Sequence, residues 1–185
     1  MASLLSMLGA YNLAKMGNDR IVNVVGALAL ALSDSVLQGA ETQAPEPGQA
    51  AAAIALLRHA PGMAIEQLRR ALKMSHPGTV RLVDRLVAGG LVERRPSEQD
   101  RRAVALHLTE AGDRKCAAIL RARGERVQRS LGALDEFELN ALGQIAEKLL
   151  AALVHNLDEA YTVCRLCDVD VCADCPVERG LADHG

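Results

Sequence analysis

Between residues 19 and 38 apolar side chains recur at helical spacing, with Ile21, Val25, Leu28 and Leu32 on one stripe, so this segment is predicted to be a helix. Residues 39–48, with Pro45 and Pro47, read as a connector. A second helix is predicted over residues 49–59, ended by Pro61 and Gly62. A third covers residues 64–72, with Ile65, Leu68 and Leu72 on one face. Lys73, Met74 and Ser75 make a turn, and a fourth helix over residues 76–88 is stopped by Gly89 and Gly90. There the period changes from helical to alternating. Residues 91–96 read as a strand, 97–102 as a polar hairpin tip and 103–108 as the return strand. In that return strand Val104, Leu106 and Leu108 point one way and Ala103, Ala105 and His107 the other. Thr109 caps a long helix reaching about residue 131. A last helix is predicted over residues 135–161, with Leu139, Leu142, Ala146, Leu149, Leu153 and Leu157 in an apolar seam at near-heptad spacing.

This order predicts a mostly α fold with a small β-hairpin: a winged helix-turn-helix domain flanked by dimerisation helices. Residues 1–48 form an N-terminal dimerisation helix and connector, 49–112 the winged helix-turn-helix, 113–161 the C-terminal dimerisation helices and 162–185 a cysteine-rich tail. The first helix and the last seam carry more apolar surface than one small winged helix can cover, which predicts a homodimer.

On the fourth helix Val80, Val83 and Val87, with Leu86 beside them, are expected to face the core, and Gly78, Arg81 and Arg85 to face outward. In a helix-turn-helix that outer face enters the major groove of double-stranded DNA. Ser75 or His76 can cap the helix, and Pro77 is tolerated in its first turn. Gly78 lets the backbone approach DNA, and Thr79 offers a hydroxyl or a methyl. Arg81 can fork onto guanine, and Arg85 is placed for phosphate.

The charge balance sharpens this picture. The formal net charge is −2, yet from residue 58 to 102 ten bases stand against five acids, with Arg94, Arg95, Arg101 and Arg102 clustered on the hairpin. Single-strand binding by base stacking is disfavoured, because the aromatic residues are only Phe137, Tyr11 and Tyr161.

The stretch from Arg94 through Asp100, Arg102, Leu108 and Thr109 to Gly112 resembles the wing of the MarR family of bacterial regulators, with its Asp-x-Arg, hydrophobic alternation, Leu-Thr and nearby Gly. The run from Met74 to Leu86 resembles that family's recognition helix, and Gly90-Leu91-Val92 its entry to the wing; the likeness covers residues 49–112. The resemblance implies that Asp100 orients the wing and that Arg102, or Arg101 beside it, reaches a minor groove. One departure is Ala64, where the third helix would be expected to start on a Ser or Thr cap. The leading expectation is a dimeric repressor on a palindromic operator, and the resemblance implies that its signal is a small phenolic or otherwise lipophilic molecule, or an oxidant.

Beyond the resemblance, Cys164, Cys167, Cys172 and Cys175 form C-x2-C-x4-C-x2-C, and two such pairs suit one tetrathiolate metal site. Zinc is the first expectation and an iron–sulfur cluster the alternative, with a metal-free thiol pair third. Asp158, Glu159, Asp168, Asp170, Asp174 and Glu178 surround these cysteines and repel phosphate, so the tail is not read as a DNA-binding finger. Linkage to the dimer rather than to bases is expected, because the site follows the last helix directly, far along the chain from the reading helix and wing. Cys116 falls on a helical stripe with Leu120, Val127 and Leu131 and is expected to be a buried core thiol. His59 and His107 are expected to serve packing or surface; His155 and His184 lie near the tail and could serve as spare ligands, but the four sulfurs suffice without them.

The apolar run over residues 21–32, interrupted by Asn23 and Gly26 and followed by Ser33, Asp34 and Ser35, reads as too short to span a bilayer. No basic segment precedes it, so neither a secretory signal nor a membrane partner is expected, and the expected compartment is the cytoplasm. Two other functions compete with a regulator answering a small-molecule, metal or redox signal. One is an electron carrier or enzyme using the cysteines, which lacks a carboxylate pair, a nucleophile–base arrangement or a phosphate loop. The other is a winged-helix adaptor for protein contacts, which would have no use for the basic face.

Overall fold

The computed structural model describes residues 2–97, 104–172 and 174–183. The chain runs α1 (Ala2–Glu41), α2 (Ala50–His59), β1 (Met63–Ala64), α3 (Ile65–Ala71), α4 (His76–Ala88), β2 (Val92–Pro96), β3 (Val104–Leu108), α5 (Glu110–Leu131), α6 (Glu136–Leu153), α7 (Leu157–Cys164) and α8 (Pro176–Asp183). Helix α2 is the centre of the core: all its residues from Ala50 to Leu57 are buried, as an apolar-all-round helix must be. Around it Leu68 and Leu72 close the α3 side, and Leu82, Val83 and Leu86 the α4 side. Val92, Leu106, Ile119 and Leu120 complete the cluster.

The hairpin gains a strand that alternation did not reveal. Met63 and Ala64 pair with Leu106 and Ala105, giving a sheet of order β1-β3-β2. Between the longer strands the register runs from Val92 opposite Leu108 to Pro96 opposite Val104. The extra strand also breaks the expected two-sided pattern of β3, because Ala105 and Leu106 are both buried while Val104 is exposed. Ala64 does precede α3 without a side-chain cap. Its backbone N–H is satisfied instead by Gln67 Oε1 at 3.0 Å. The turn between α3 and α4 holds Lys73 in the left-handed region (φ +52°), with the Met74 N–H donating to Arg69 O at 3.1 Å.

Two helices differ from expectation. Helix α1 begins at Ala2 and runs to Glu41, well beyond residues 19–38 at both ends. Its part from Asn18 to Glu41 (24 residues, mean hydropathy 1.6) is long and apolar enough to cross a membrane, which the shorter uninterrupted run had not indicated. The predicted last helix is broken. Val154 is extended, Asn156 caps a new helix by accepting from the Glu159 N–H at 3.0 Å, and Glu159 Oε2 in turn accepts from the His155 N–H at 2.8 Å. The chain turns back at that break, so the tail is not a distant appendage. Helix α7 packs on α3, where Thr162 Oγ1 donates to the Ala71 carbonyl at 3.3 Å and Arg70 pairs with Asp158 at 3.0 Å. Helix α8 packs on α6 over a small core of Val154, Ala160, Cys164 and Val177. Gly180 makes that approach possible, since a Cβ there would stand 2.4 Å from the Ala151 carbonyl oxygen.

Candidate nucleic-acid interface and cysteine cavity

The outward face of α4 starts from a well-formed cap. Ser75 Oγ accepts from the Gly78 N–H at 3.3 Å, and Pro77 occupies the first turn, where no intrahelical partner for an N–H exists. The core-facing residues are Thr79, Leu82, Val83 and Leu86, all buried, while Val80 and Val87 are only half-buried. This corrects two expectations: the apolar face is centred one position from the Val80–Val83–Val87 stripe, and Thr79 lies on the buried face of α4, not on the outward one. Thr79 is wholly buried, and its hydroxyl donates to the Ser75 carbonyl at 3.1 Å, so the polar atom is satisfied inside the helix.

Arg81 and Arg85 do lie on the exposed face. Among the described residues Arg81 has no ion-pair partner. Arg85 is held by Glu46 of the connector at 2.5 Å, a contact that lifts its pKa further. On the wing Arg94 pairs with Asp84 of α4 at 2.6 Å and Arg95 with Glu93. Asp100, Arg101 and Arg102 lie outside the described residues, as does His184. Thr109 and Gly112 fix the base of the wing. Thr109 Oγ1 donates to the Gly90 carbonyl at 2.6 Å and accepts from the Gly112 N–H at 3.1 Å, joining the end of α4 to the start of α5.

All four cysteines of the C-terminal segment line one cavity of about 390 Å³, together with His59 of α2 and Arg123 of α5. Cys164 is buried at the end of α7, Cys167 and Cys175 are half-buried, and Cys172 is exposed. The Cys164 thiol donates to Cys167, so Cys167 ionises first. That hydrogen bond, Arg123 and the Asp168 N–H hold its pKa well below the ordinary thiol value, while Cys164 is raised. Among the described residues no three ligand-type side chains stand close enough together, as placed, to hold a metal ion. His59, expected to serve packing or surface, packs edge-on to Tyr161 (centroids 6.2 Å, 85°) and has a buried Nδ1 with no hydrogen-bond partner among the described residues, and its place on the cysteine cavity was not foreseen. Only its contact with a tail 100 residues away marks it, and spacing carries no such signal. Cys116 is fully buried, and desolvation pushes its thiol up to about 11.

Residues 47–103 match the family model described as the MarR family. The transcriptional repressor MprA of Escherichia coli is 36% identical over 87 residues, covering 47% of this chain and 49% of its own length. The chain thus spans about half the length of the first curated relatives it matches. The HTH-type transcriptional repressor MdtR of Bacillus subtilis is 27% identical over 126 residues, covering 68% of this chain and 81% of its own. Among solved structures, YusO of Bacillus subtilis superposes with a TM-score of 0.57 at 25% identity, covering 74% of this chain and 96% of that one. Apo MarR of Escherichia coli gives 0.55 at 26% identity, covering 68% and 96%.

Proposed function

We propose that this chain, whose residues 47–103 match the MarR family model and whose fold resembles solved MarR-type structures, is a member of that family and a sequence-specific, double-stranded DNA-binding regulator, a repressor and not an enzyme. The observation that carries this reading is the outer face of α4. It presents Arg81 free of ion pairs among the described residues, next to Arg85 and flanked by the wing arginines Arg94 and Arg95. Such a face offers one side chain for base edges and several for phosphate, the division that separates specificity from affinity. The repressor assignment leans on MprA and MdtR, both named as transcriptional repressors.

The regulator works as a cytoplasmic homodimer on a palindromic operator. Ile21, Val22, Val25 and Leu28 of α1 are all at least 47% exposed, and on and just beyond α6 Leu149, Leu153 and Leu157 are at least 52% exposed. A second copy would bury both stripes and set two α4 helices about one DNA turn apart. A bilayer is the other partner that would cover α1, and one contact opposes it: Gln38 accepts from Arg126 of α5 at 3.0 Å, which places a guanidinium beside the end of the apolar stretch. The test is selection of duplexes from a random-sequence pool by the purified protein, followed by titration and by light scattering without detergent. Recovery of a palindromic consensus bound by a dimer is expected. No enrichment, or a monomeric mass at micromolar concentration, refutes the reading.

A further inference from the structure

The cysteine cavity is the chemical feature that DNA reading leaves unused. Its four thiols come from two C-x-x-C pairs on opposite sides of a short loop. The Cys167 N–H donates to the Cys164 carbonyl at 2.8 Å in the first pair, and Cys175 directly precedes α8 in the second. Four sulfurs on one cavity match the preference of zinc for tetrahedral thiolate coordination, and half-buried Arg123, whose Nε is buried with no hydrogen-bond partner among the described residues, offsets the negative charge four thiolates would bring.

We propose that Cys164, Cys167, Cys172 and Cys175 bind one zinc ion per chain, and that binding is transmitted to the helix-turn-helix. The second half rests on the DNA-binding reading above. Zinc replaces the thiol protons, which pass to solvent, and no oxidant or reductant takes part. Among the described residues no three ligands converge as placed, so gathering the two pairs onto one ion draws them together across the loop that joins them. That loop, residues 168–171, carries Asp170, which is ion-paired with Arg58 of α2. The helix just before it is fixed to α3 through Asp158–Arg70 and Thr162. Movement of the loop therefore acts on both core helices behind α4. The bound ion orders the segment that braces α2 and α3, so part of the ordering cost of DNA binding is met in advance.

The experiment uses full-length protein purified without oxygen or chelator, beside a Cys167→Ser, Cys172→Ser double variant and Asp170→Asn. Zinc, iron and acid-labile sulfide are quantified, and cobalt is substituted for the visible bands of a tetrahedral thiolate site. Hydrogen exchange over residues 58–72 and affinity for a selected duplex are compared with and without zinc. One zinc per wild-type chain and none in the double variant are expected, with slower exchange and binding tightened about 5-fold or more, the lower end of ordinary allosteric coupling. Asp170→Asn should keep its zinc and lose most of that shift. Iron with sulfide, or a disulfide with no metal, overturns the zinc assignment. Zinc that leaves exchange and affinity unchanged, or that weakens binding, overturns the transmission. If zinc alters exchange but the protein selects no duplex in either form, the DNA reading fails and the metal site stands.

Discussion

Replacing Gly112 by Ala should destabilise the protein although it adds a better helix former. Gly112 lies in the first turn of α5, and a Cβ there would stand 2.1 Å from the Leu91 carbonyl oxygen and 3.2 Å from Leu108 Cδ2. The carbonyl cannot move cheaply. It accepts from the Thr109 N–H at 3.0 Å, and the Leu91 N–H donates to Leu86 O of α4 at 3.0 Å. Overpacking of this kind costs about 1–3 kcal/mol. Loss of the Thr109–Leu91 bond adds about 1 kcal/mol. The helical gain of Ala over Gly returns at most about 1 kcal/mol. The net expectation is about 1–3 kcal/mol of destabilisation. Gly124 provides the control, because it lies in the same helix and a Cβ there meets nothing within 4 Å. Gly124→Ala should be neutral or stabilise by up to about 1 kcal/mol. Urea unfolding of the three proteins separates the cases, and duplex affinity should fall for Gly112→Ala, since this contact sets the wing against α4. If both substitutions move the urea midpoint equally and in the same direction, the close approach at the wing base is wrong.

Thr79→Val should cost under about 1 kcal/mol, because the Ser75 carbonyl keeps its bond from the Thr79 N–H (3.0 Å). It should also leave the selected DNA consensus unchanged; an altered consensus would return Thr79 to the reading face. Arg81→Ala should erase about 1–3 kcal/mol of discrimination at one base pair. Arg102→Ala should weaken all duplexes alike and lower the salt slope by about 1, as titrations at several salt concentrations report. Glu46→Gln releases Arg85 for phosphate, so duplex affinity should rise up to about 5-fold, the worth of an exposed pair near 1 kcal/mol. Weaker binding would instead make Glu46 a positioning residue. Cys116 loses its proton at about 11 when folded against an ordinary 9.0, so the unfolded chain ionises first. Stability is full below pH 9, falls as pH rises toward 11, and should fall less in Cys116→Ala when urea midpoints are compared across that range.

What was legible in the sequence was what local chemistry decides. The Ser75 cap, Pro77, the stop at Gly89–Gly90 and the period-two wing put α4, β2 and β3 within a residue or so of their observed bounds. The face of α4 was not fully legible, because Val80–Val83–Val87 and Thr79–Leu82–Val83–Leu86 both satisfy helical spacing. Only the satisfied hydroxyl of Thr79 lets a polar side chain take the buried row. Periodicity also concealed the break after α6, since Leu149, Leu153 and Leu157 continue the seam straight across it. The local signal was Asn156 with Glu159 three residues on, a capping pair inside an apolar pattern. Strand β1, two residues long, is too short to show any period. The return of the tail rests on pairs such as Arg58–Asp170, 112 positions apart, which no local pattern encodes.

Those long-range pairs change what the basic module means. Counted along the sequence, residues 58–102 carry a clear excess of positive charge, but acids from elsewhere in the chain meet it in the fold. Glu46 of the connector holds Arg85, Asp113 of α5 and Asp170 of the tail flank Arg58, and Asp158 of α7 holds Arg70. Exposed pairs of this kind contribute about 0–1 kcal/mol each, so phosphate can replace a carboxylate at little cost in stability. The displaced carboxylate then stands near the DNA, which penalises any docking that does not repay it with base contacts. On the proposed DNA-binding reading, the pairs would weaken binding to arbitrary duplex more than binding to a matched one, leaving specificity to Arg81 and the wing. They also give the flanking segments a hold on the module: whatever shifts the connector or the tail changes which arginines are available to DNA. Under the zinc proposal, a signal at the cysteine cavity, beside the loop that carries Asp170, would have this route to α4.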